Sequence, residues 1–165
     1  MEIIKPLKRS THLKPLSRDH HDGLLLCWKI RQGLKNNIED LRIVSYVAFC
    51  FEQELKEHFD QEERLVFSLL KEGDPEIRKA REQHKELNWL IQKIIRTDDS
   101  EKALLAAFAD LLEDHIRFEE RQLFPYIEKN ADPDSFDHAG KIIADLHGNH
   151  STVSWDDEFW IKQAK

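Results

Sequence analysis

The chain has 165 residues, of which 40% are hydrophobic and 35% are charged, and its formal net charge is −7. This length suits one domain with a sizeable core, and the acidic balance argues against nucleic acid as a partner. No apolar run reaches the roughly 20 residues that span a bilayer, and the amino-terminal segment lacks the apolar stretch of a secretory signal. We therefore expect a cytoplasmic protein with no membrane partner.

The spacing of apolar residues predicts four helices in chain order. The first covers residues 17–35 with Ser17 as its N-cap, and the second covers residues 38–71. The third opens at Asp74-Pro75, and the fourth follows a turn at residues 97–100. Pro125 is expected to kink the fourth helix or loosen its last turn.

Short connections make neighbouring helices antiparallel, so the predicted fold is all-α, an up-down-up-down four-helix bundle. We divide the chain into an amino-terminal arm (1–16), the bundle (17–130) and a carboxy-terminal short helix and tail (131–165). The basic residues of the arm are expected to be solvated. The tail is expected to pack on the bundle through Trp155 and Trp160.

One motif, His-x-x-x-Glu-Glu-Arg-x-x-Phe, occurs twice, at residues 58–67 and 115–124. On a helix, residues four apart lie on the same face, so each copy presents an imidazole and a carboxylate together. The surrounding apolar residues indicate that this face points into the core. Each copy therefore looks like half of a site for two metal ions.

The other two helices each carry one histidine on the apolar stripe, His20 and His84. Counted from the predicted turns, histidines on neighbouring helices differ in depth by roughly one helical turn, about 5 Å. One buried histidine is usually just hydrogen-bonded, but carboxylates buried in the same layer as four histidines are costly without a cation. The predicted metal ligands are His20, His58, Glu62, His84, His115 and Glu119.

Imidazole and carboxylate ligands without thiolate suit iron, manganese or zinc. Carboxylates that can bridge favour two ions, each with two nitrogen and two oxygen ligands from the protein. An oxo or hydroxo bridge would leave one open position on each ion. The expected partner is then a small ligand such as dioxygen, peroxide or nitric oxide. The sequence leaves any protein partner unknown.

These six residues resemble the hemerythrin-like family, also called the HHE cation-binding domain, over roughly residues 12–130. The resemblance implies a non-haem centre of two iron ions that both glutamates bridge. The roles it implies are oxygen binding, sensing of iron, oxygen or nitric oxide, and repair of iron–sulfur clusters. Asn88 stands where oxygen-carrying hemerythrins place a further histidine, so the pattern is closer to the bacterial members with four His and two Glu.

Two functional hypotheses follow. The first is a diiron protein that binds a small ligand for sensing or stress response. The second is a diiron enzyme, acting as a peroxidase or on nitric oxide, or an iron donor in cluster repair, and the sequence leaves the question of catalysis open. A ferritin-like oxidase is disfavoured because its Glu-x-x-His pairs are absent. A metal-free helical scaffold would tolerate the loss of His58 or His115.

Several polar neighbours are expected to lie outside the ligand set. His21 is expected either to support a metal ligand from behind or to lie at the surface. Glu63 and Glu120 are expected to be solvated or paired with the arginine that follows each of them. The remaining histidines of the tail are expected to be exposed rather than to form an accessory metal site: His138, His147 and His150.

Overall fold

The computed structural model describes residues 8–96, 102–148 and 154–162. These ranges contain helices and no strand, so the all-α prediction is confirmed. None of the described helices is long and apolar enough to cross a membrane. The helices are α1 (Lys14–Lys35), α2 (residues 40–69), α3 (Pro75–Arg96), α4 (residues 102–130) and α5 (Pro133–His147).

Helices α2 and α4 are continuous rods that contain wider π-helical turns. In α2 these turns are Phe51–Leu55 and Glu62–Val66, and in α4 the turn is Glu119–Leu123. The residues that flank each turn keep α-helical backbone angles, so the rods do not break there. The sequence predicted neither the turns nor the end of α2 two residues before Lys71, in a 3₁₀ turn at Phe67–Leu69.

Helix α1 begins one turn earlier than predicted. Ser17 is not the N-cap, because its N–H already donates to the carbonyl of Leu13 at 3.0 Å. Proline at the second helical position is tolerated there, since an N–H in the first turn has no partner within the helix. Leu13 and Leu16 are completely buried, so packing holds this extra turn in place.

The arm is also less solvated than predicted, because Arg9 folds back onto α4. Its side chain is only 11% exposed and pairs with Glu120 at 2.9 Å and with Glu128 at 3.0 Å. Other basic residues of this region that the structure describes are exposed: Lys8, Lys14 and Arg18. The predicted turn at residues 97–100 lies outside the described residues.

The helices close into a bundle. Helix α4 packs along α1 and α3, and α2 contacts α1 and α3. The chain reverses after α1 at Asn37, whose φ is 54°, and after α2 at Gly73, whose φ is 83°. Both positions use the left-handed backbone region, which Gly adopts freely and Asn tolerates.

The bundle core consists of two apolar clusters separated by a polar layer. The first cluster includes Leu26, Ile30, Phe59, Leu87 and Leu112. The second cluster joins the start of α1, the ends of α2 and α4, the start of α3 and one face of α5, and includes Leu16, Val66, Ala80, Phe118, Phe124 and Ile143. On each of the helices α1 to α4 the predicted ligands lie at the boundary between the two clusters.

The carboxy-terminal segment 154–162 packs against the first cluster. Phe159 is 2% exposed, and its ring centroid lies 5.7 Å from that of Tyr46. The tryptophans of the segment also face Tyr46, with ring centroids 5.5 Å away for Trp155 and 5.0 Å for Trp160. A Cβ on Gly33 would lie 2.9 Å from the Phe159 ring, so glycine permits this close approach.

Replacing Phe159 with alanine should lower the free energy of unfolding by about 3 kcal/mol, because a fully buried ring leaves a cavity. Urea denaturation of the metal-free protein measures this change. Ile161→Ala is the matched control, since that side chain is 53% exposed and its loss should change stability by less than about 0.5 kcal/mol. Equal effects of the two substitutions would contradict the packing described here.

Candidate metal centre

All six predicted ligands lie together in the polar layer between the apolar clusters. Each of the four bundle helices contributes at least one of them. They are buried, with exposures of at most 5%: His20, His58, Glu62, His84, His115 and Glu119. That these side chains bind metal remains a prediction, but the structure does bring them to one place.

Glu62 stands at the centre of the group. Its carboxylate lies 3.0 Å from Nε2 of His58 and 3.3 Å from Nε2 of His84. The other two imidazoles are also near, at 3.9 Å for His20 and 4.0 Å for His115. One carboxylate therefore reaches all four histidines.

Glu119 makes a second link across the layer. Its Oε1 contacts Nε2 of His115 and lies 3.9 Å from Nε2 of His20. The side chains fall into two groups that share Glu62, and within each group the candidate ligand atoms lie within 4.8 Å of one another. The first group is His20, His58 and Glu62; the second is Glu62, His84, His115 and Glu119.

Many of these buried atoms have no hydrogen-bond partner. They are Nε2 of His20, Nε2 of His58, and both carboxylate oxygens of Glu62 and of Glu119. Buried polar atoms in proteins are almost always hydrogen-bonded, because burial without a partner costs several kcal/mol. Nitrogen and carboxylate oxygen donors without thiolate fit iron, manganese or zinc. The residues present therefore fit a bound cation.

The π-helical turns explain why phenylalanine ends both copies of the repeated motif. Each turn starts at a central glutamate, and its carbonyl accepts from the N–H of the phenylalanine five residues on. The wider turn places the phenylalanine ring of each copy against a histidine of another helix. Phe67 stacks on His84 at 5.4 Å between centroids, and Phe124 stacks on His20 at 5.3 Å. Such turns often occur at functional sites.

Three of the histidines are oriented by a hydrogen bond from Nδ1. His58 donates to Asp19 at 2.9 Å, and His115 donates to Gln83 at 2.6 Å. His20 donates to Glu120 at 2.7 Å. A proton held on Nδ1 leaves the lone pair of Nε2 free to bind metal.

The fourth histidine is held differently. Nδ1 of His84 has no hydrogen-bond partner, and the nearest carboxylate oxygen, of Glu63, lies 3.8 Å away. Nε2 of His84 lies 3.1 Å from Nε2 of His115, so both nitrogens face the same space. A shared proton or a cation between them would relieve the contact.

Sequence reasoning missed several of the orienting residues. Glu120 was expected to be solvated or paired with Arg121, but it binds His20 and Arg9. Glu63 was expected to be solvated or paired with Arg64; its side chain is 39% exposed, and Arg64 binds Asp60 at 2.8 Å instead. The repetition of the second glutamate in both motifs was the signal that could have revealed a role beyond the surface.

The other histidines divide as follows. His21 is exposed, as expected. His138 is exposed as well, and His150 lies outside the described residues. His147 was expected to be exposed, but it lies 2.8 Å from Asp19, which accepts a hydrogen bond from His58.

Burial and opposite charge set the protonation of the metal-free layer. Burial lowers the pKa of His58, but the carboxylates of Glu62 and Asp19 outweigh it and raise that pKa to about 10. Burial raises the pKa of Glu119 well above its usual range, and the adjacent charge of Glu62 adds to the effect. Burial also acts to raise the pKa of Glu62, but the charge of His58 and the close contact with His84 outweigh it and hold that pKa well below the usual range. Without metal, protons therefore balance the charge.

A family model for the hemerythrin HHE cation binding domain matches residues 11–127. The chain belongs to this family. No curated protein and no solved structure matches the chain. The hemerythrin domain so defined includes all six predicted ligands and ends before α5 and the segment 154–162. Membership supports a cation-binding role for the buried histidine and glutamate side chains.

Metal binding to this hemerythrin domain should release protons at neutral pH. A ligand must lose its proton to bind metal, and a pKa of about 10 means that His58 holds a proton at neutral pH in the metal-free state. The affinity should therefore rise with pH and fall as the medium becomes more acidic. Calorimetric titration with metal in two buffers of different ionisation enthalpy measures the release.

The exposed neighbour His21 supplies the control for this measurement. His21→Ala should leave the proton release unchanged, whereas His58→Gln should both bind less metal and release fewer protons. A binding enthalpy that does not depend on the buffer would contradict the protonation described here.

Proposed function

We propose that this hemerythrin domain binds two iron ions and uses them to bind a small ligand. The proposed metal ligands are His20, His58, Glu62, His84, His115 and Glu119, the set found in bacterial members with four His and two Glu. The observation that carries the proposal is the group of unpaired buried oxygens on Glu62 and Glu119, which face histidines of both groups. Manganese or zinc would fit the same donor atoms.

The protein would supply two imidazole nitrogens and shared carboxylate oxygens at each position. Imidazole and carboxylate sets of this kind, with positions left open, are typical of non-haem iron proteins that act on dioxygen. A bound pair of iron ions would supply Lewis acidity, redox chemistry and a vacant position for dioxygen, peroxide or nitric oxide.

The chain's own residues control what reaches the centre. The ring of Phe59 stacks on His84 at 4.3 Å between centroids, and the rings of Phe67 and Phe124 cover His84 and His20 from the other apolar cluster. These apolar walls exclude bulk water and favour a small, weakly polar ligand. The hydrogen bonds from the Nδ1 atoms keep the imidazoles in place while such a ligand enters and leaves.

We propose that ligand binding serves sensing or stress response in the cytoplasm rather than turnover of a large substrate. This proposal follows from the enclosed site, whose ligands are at most 5% exposed. The small ligand would be recognised by binding to the vacant coordination position on iron. Recognition of this kind needs no binding site on the described protein surface.

The test is the metal content of protein purified without chelators, with an optical spectrum recorded in air and after nitric oxide. We expect two irons per chain and charge-transfer bands that change with nitric oxide. Failure to bind iron on anaerobic reconstitution would contradict the proposal. Another metal at two per chain would keep the site and exclude the iron-dependent function.

Glu62 and its neighbour Glu63 provide a matched pair of variants. Glu62→Ala should lose metal and the stabilisation that metal binding gives the folded state, which appears as a lower Tm. Glu63→Ala should keep its metal, because its carboxylate lies 3.6 Å from Arg81 and, at 3.8 Å, does not hydrogen-bond to Nδ1 of His84. Equal metal content in both variants would overturn the assignment of Glu62.

A further inference from the structure

Helix α5 lies beyond the residues that the family model matches, yet it packs on the metal-centre end of the bundle. It contacts α1 and the π-helical turn Glu62–Val66. Phe136 and Ile143 of α5 belong to the second apolar cluster. A Cβ on Gly140 would lie 2.2 Å from the ring of His12, so the helix also sits directly against the amino-terminal segment. These contacts fix the end of α5 close to Asp19.

His147, at the end of α5, is held between two hydrogen-bond acceptors. Its Nδ1 lies 2.9 Å from the carbonyl oxygen of Ile143, and its Nε2 lies 2.8 Å from Oδ2 of Asp19. Carbonyl and carboxylate oxygens only accept, so both ring nitrogens must donate. The imidazolium form makes both bonds and places a positive charge beside Asp19.

The same oxygen of Asp19 accepts from Nδ1 of His58 at 2.9 Å. A chain of hydrogen bonds therefore runs from the centre, through His58 and Asp19, to His147. The side chain of Asp19 is 30% exposed, so without His147 its carboxylate would be free to turn toward water. Bound by His147, it is held against His58.

The other half of the centre is built differently. His115 donates to Gln83, which stands directly before His84 just as Asp19 stands directly before His20. An amide is neutral, whereas the partner of His58 is a carboxylate balanced by an imidazolium. The orienting groups behind the two halves therefore differ in charge and in the number of residues that hold them.

We propose that His147 is a positioning residue that acts through Asp19 on His58 and makes the two metal positions unequal. The inference rests on the proposed function, because it presumes two positions that share Glu62. His147 strengthens the position of His20 and His58, while the position of His84 and His115 does not depend on it. Groups that orient a metal ligand from behind typically change affinity by about 10- to 100-fold when removed.

Anaerobic titration of metal-free protein with Co²⁺ against a competing chelator tests this inference, with the visible bands of Co²⁺ as the readout. Wild-type protein should bind two ions in two steps of different affinity. His147→Ala should weaken one step by about tenfold and leave the other unchanged. His147→Gln, whose amide can still donate to Asp19, should recover much of the loss.

Two further variants separate positioning from a merely structural role. His138→Ala removes an exposed histidine from the same helix and should leave both steps unchanged. Asp19→Ala should weaken the same step, and adding His147→Ala to it should cause no further loss, because His147 acts through Asp19.

The inference is overturned if His147→Ala leaves both steps unchanged, weakens both steps equally, or adds its full effect to that of Asp19→Ala. In those cases wild-type protein still binds two ions, so the two metal positions of the proposed function stand. If wild-type protein binds fewer than two ions, the proposed function fails and this inference fails with it.

Discussion

The structure depends on one constraint: two glutamates and four histidines are buried in one layer with unpaired atoms facing one another. The effective cost of burying a charged group is several kcal/mol, and only a close opposite charge or a metal ion offsets it. In this bundle the apolar clusters on both sides of the layer exclude the water that would otherwise supply partners. The apolar packing that stabilises the fold therefore also buries the carboxylates, and a bound cation would offset the cost of burying them.

The repeated motif contributes to this layer with three of its positions. The histidine and the first glutamate face the centre, and the π-helical turn that starts at the glutamate seats the phenylalanine on a histidine of another helix. The second glutamate of one copy holds His20, while that of the other copy stays 3.8 Å from His84. The two halves thus share a plan but differ in the residues behind the histidines. This difference is a physical basis for the unequal affinity that we propose for the two metal positions.

Much of this arrangement was predictable from the sequence because helix geometry determines it. Residues four apart share a face of a helix, and the number of residues between a histidine and the nearest turn sets its depth in the bundle. These two rules predicted that the six side chains lie in one layer. The start of α1 was not predictable in this way. Ser17 has the chemistry of an N-cap, but the burial of Leu13 and Leu16 extends the helix past it. The divisions at residues 16 and 130 remain predictions.

The orienting residues were missed for a related reason. Contacts such as those of Glu120 with His20 and of His147 with Asp19 join side chains 100 and 128 residues apart, and no local pattern encodes them. The π-helical turns were missed because their residues suit an ordinary α-helix equally well. Sequence thus predicts which groups share the layer, and tertiary structure decides which groups hold them in place.

The most direct test of this account is anomalous diffraction at the iron edge from crystals of the iron-loaded protein. We expect two peaks, one beside His20 and His58 and the other beside His84 and His115, with the carboxylate of Glu62 between them. A single peak, or peaks away from the buried layer, would contradict a centre in which shared glutamates join two metal positions.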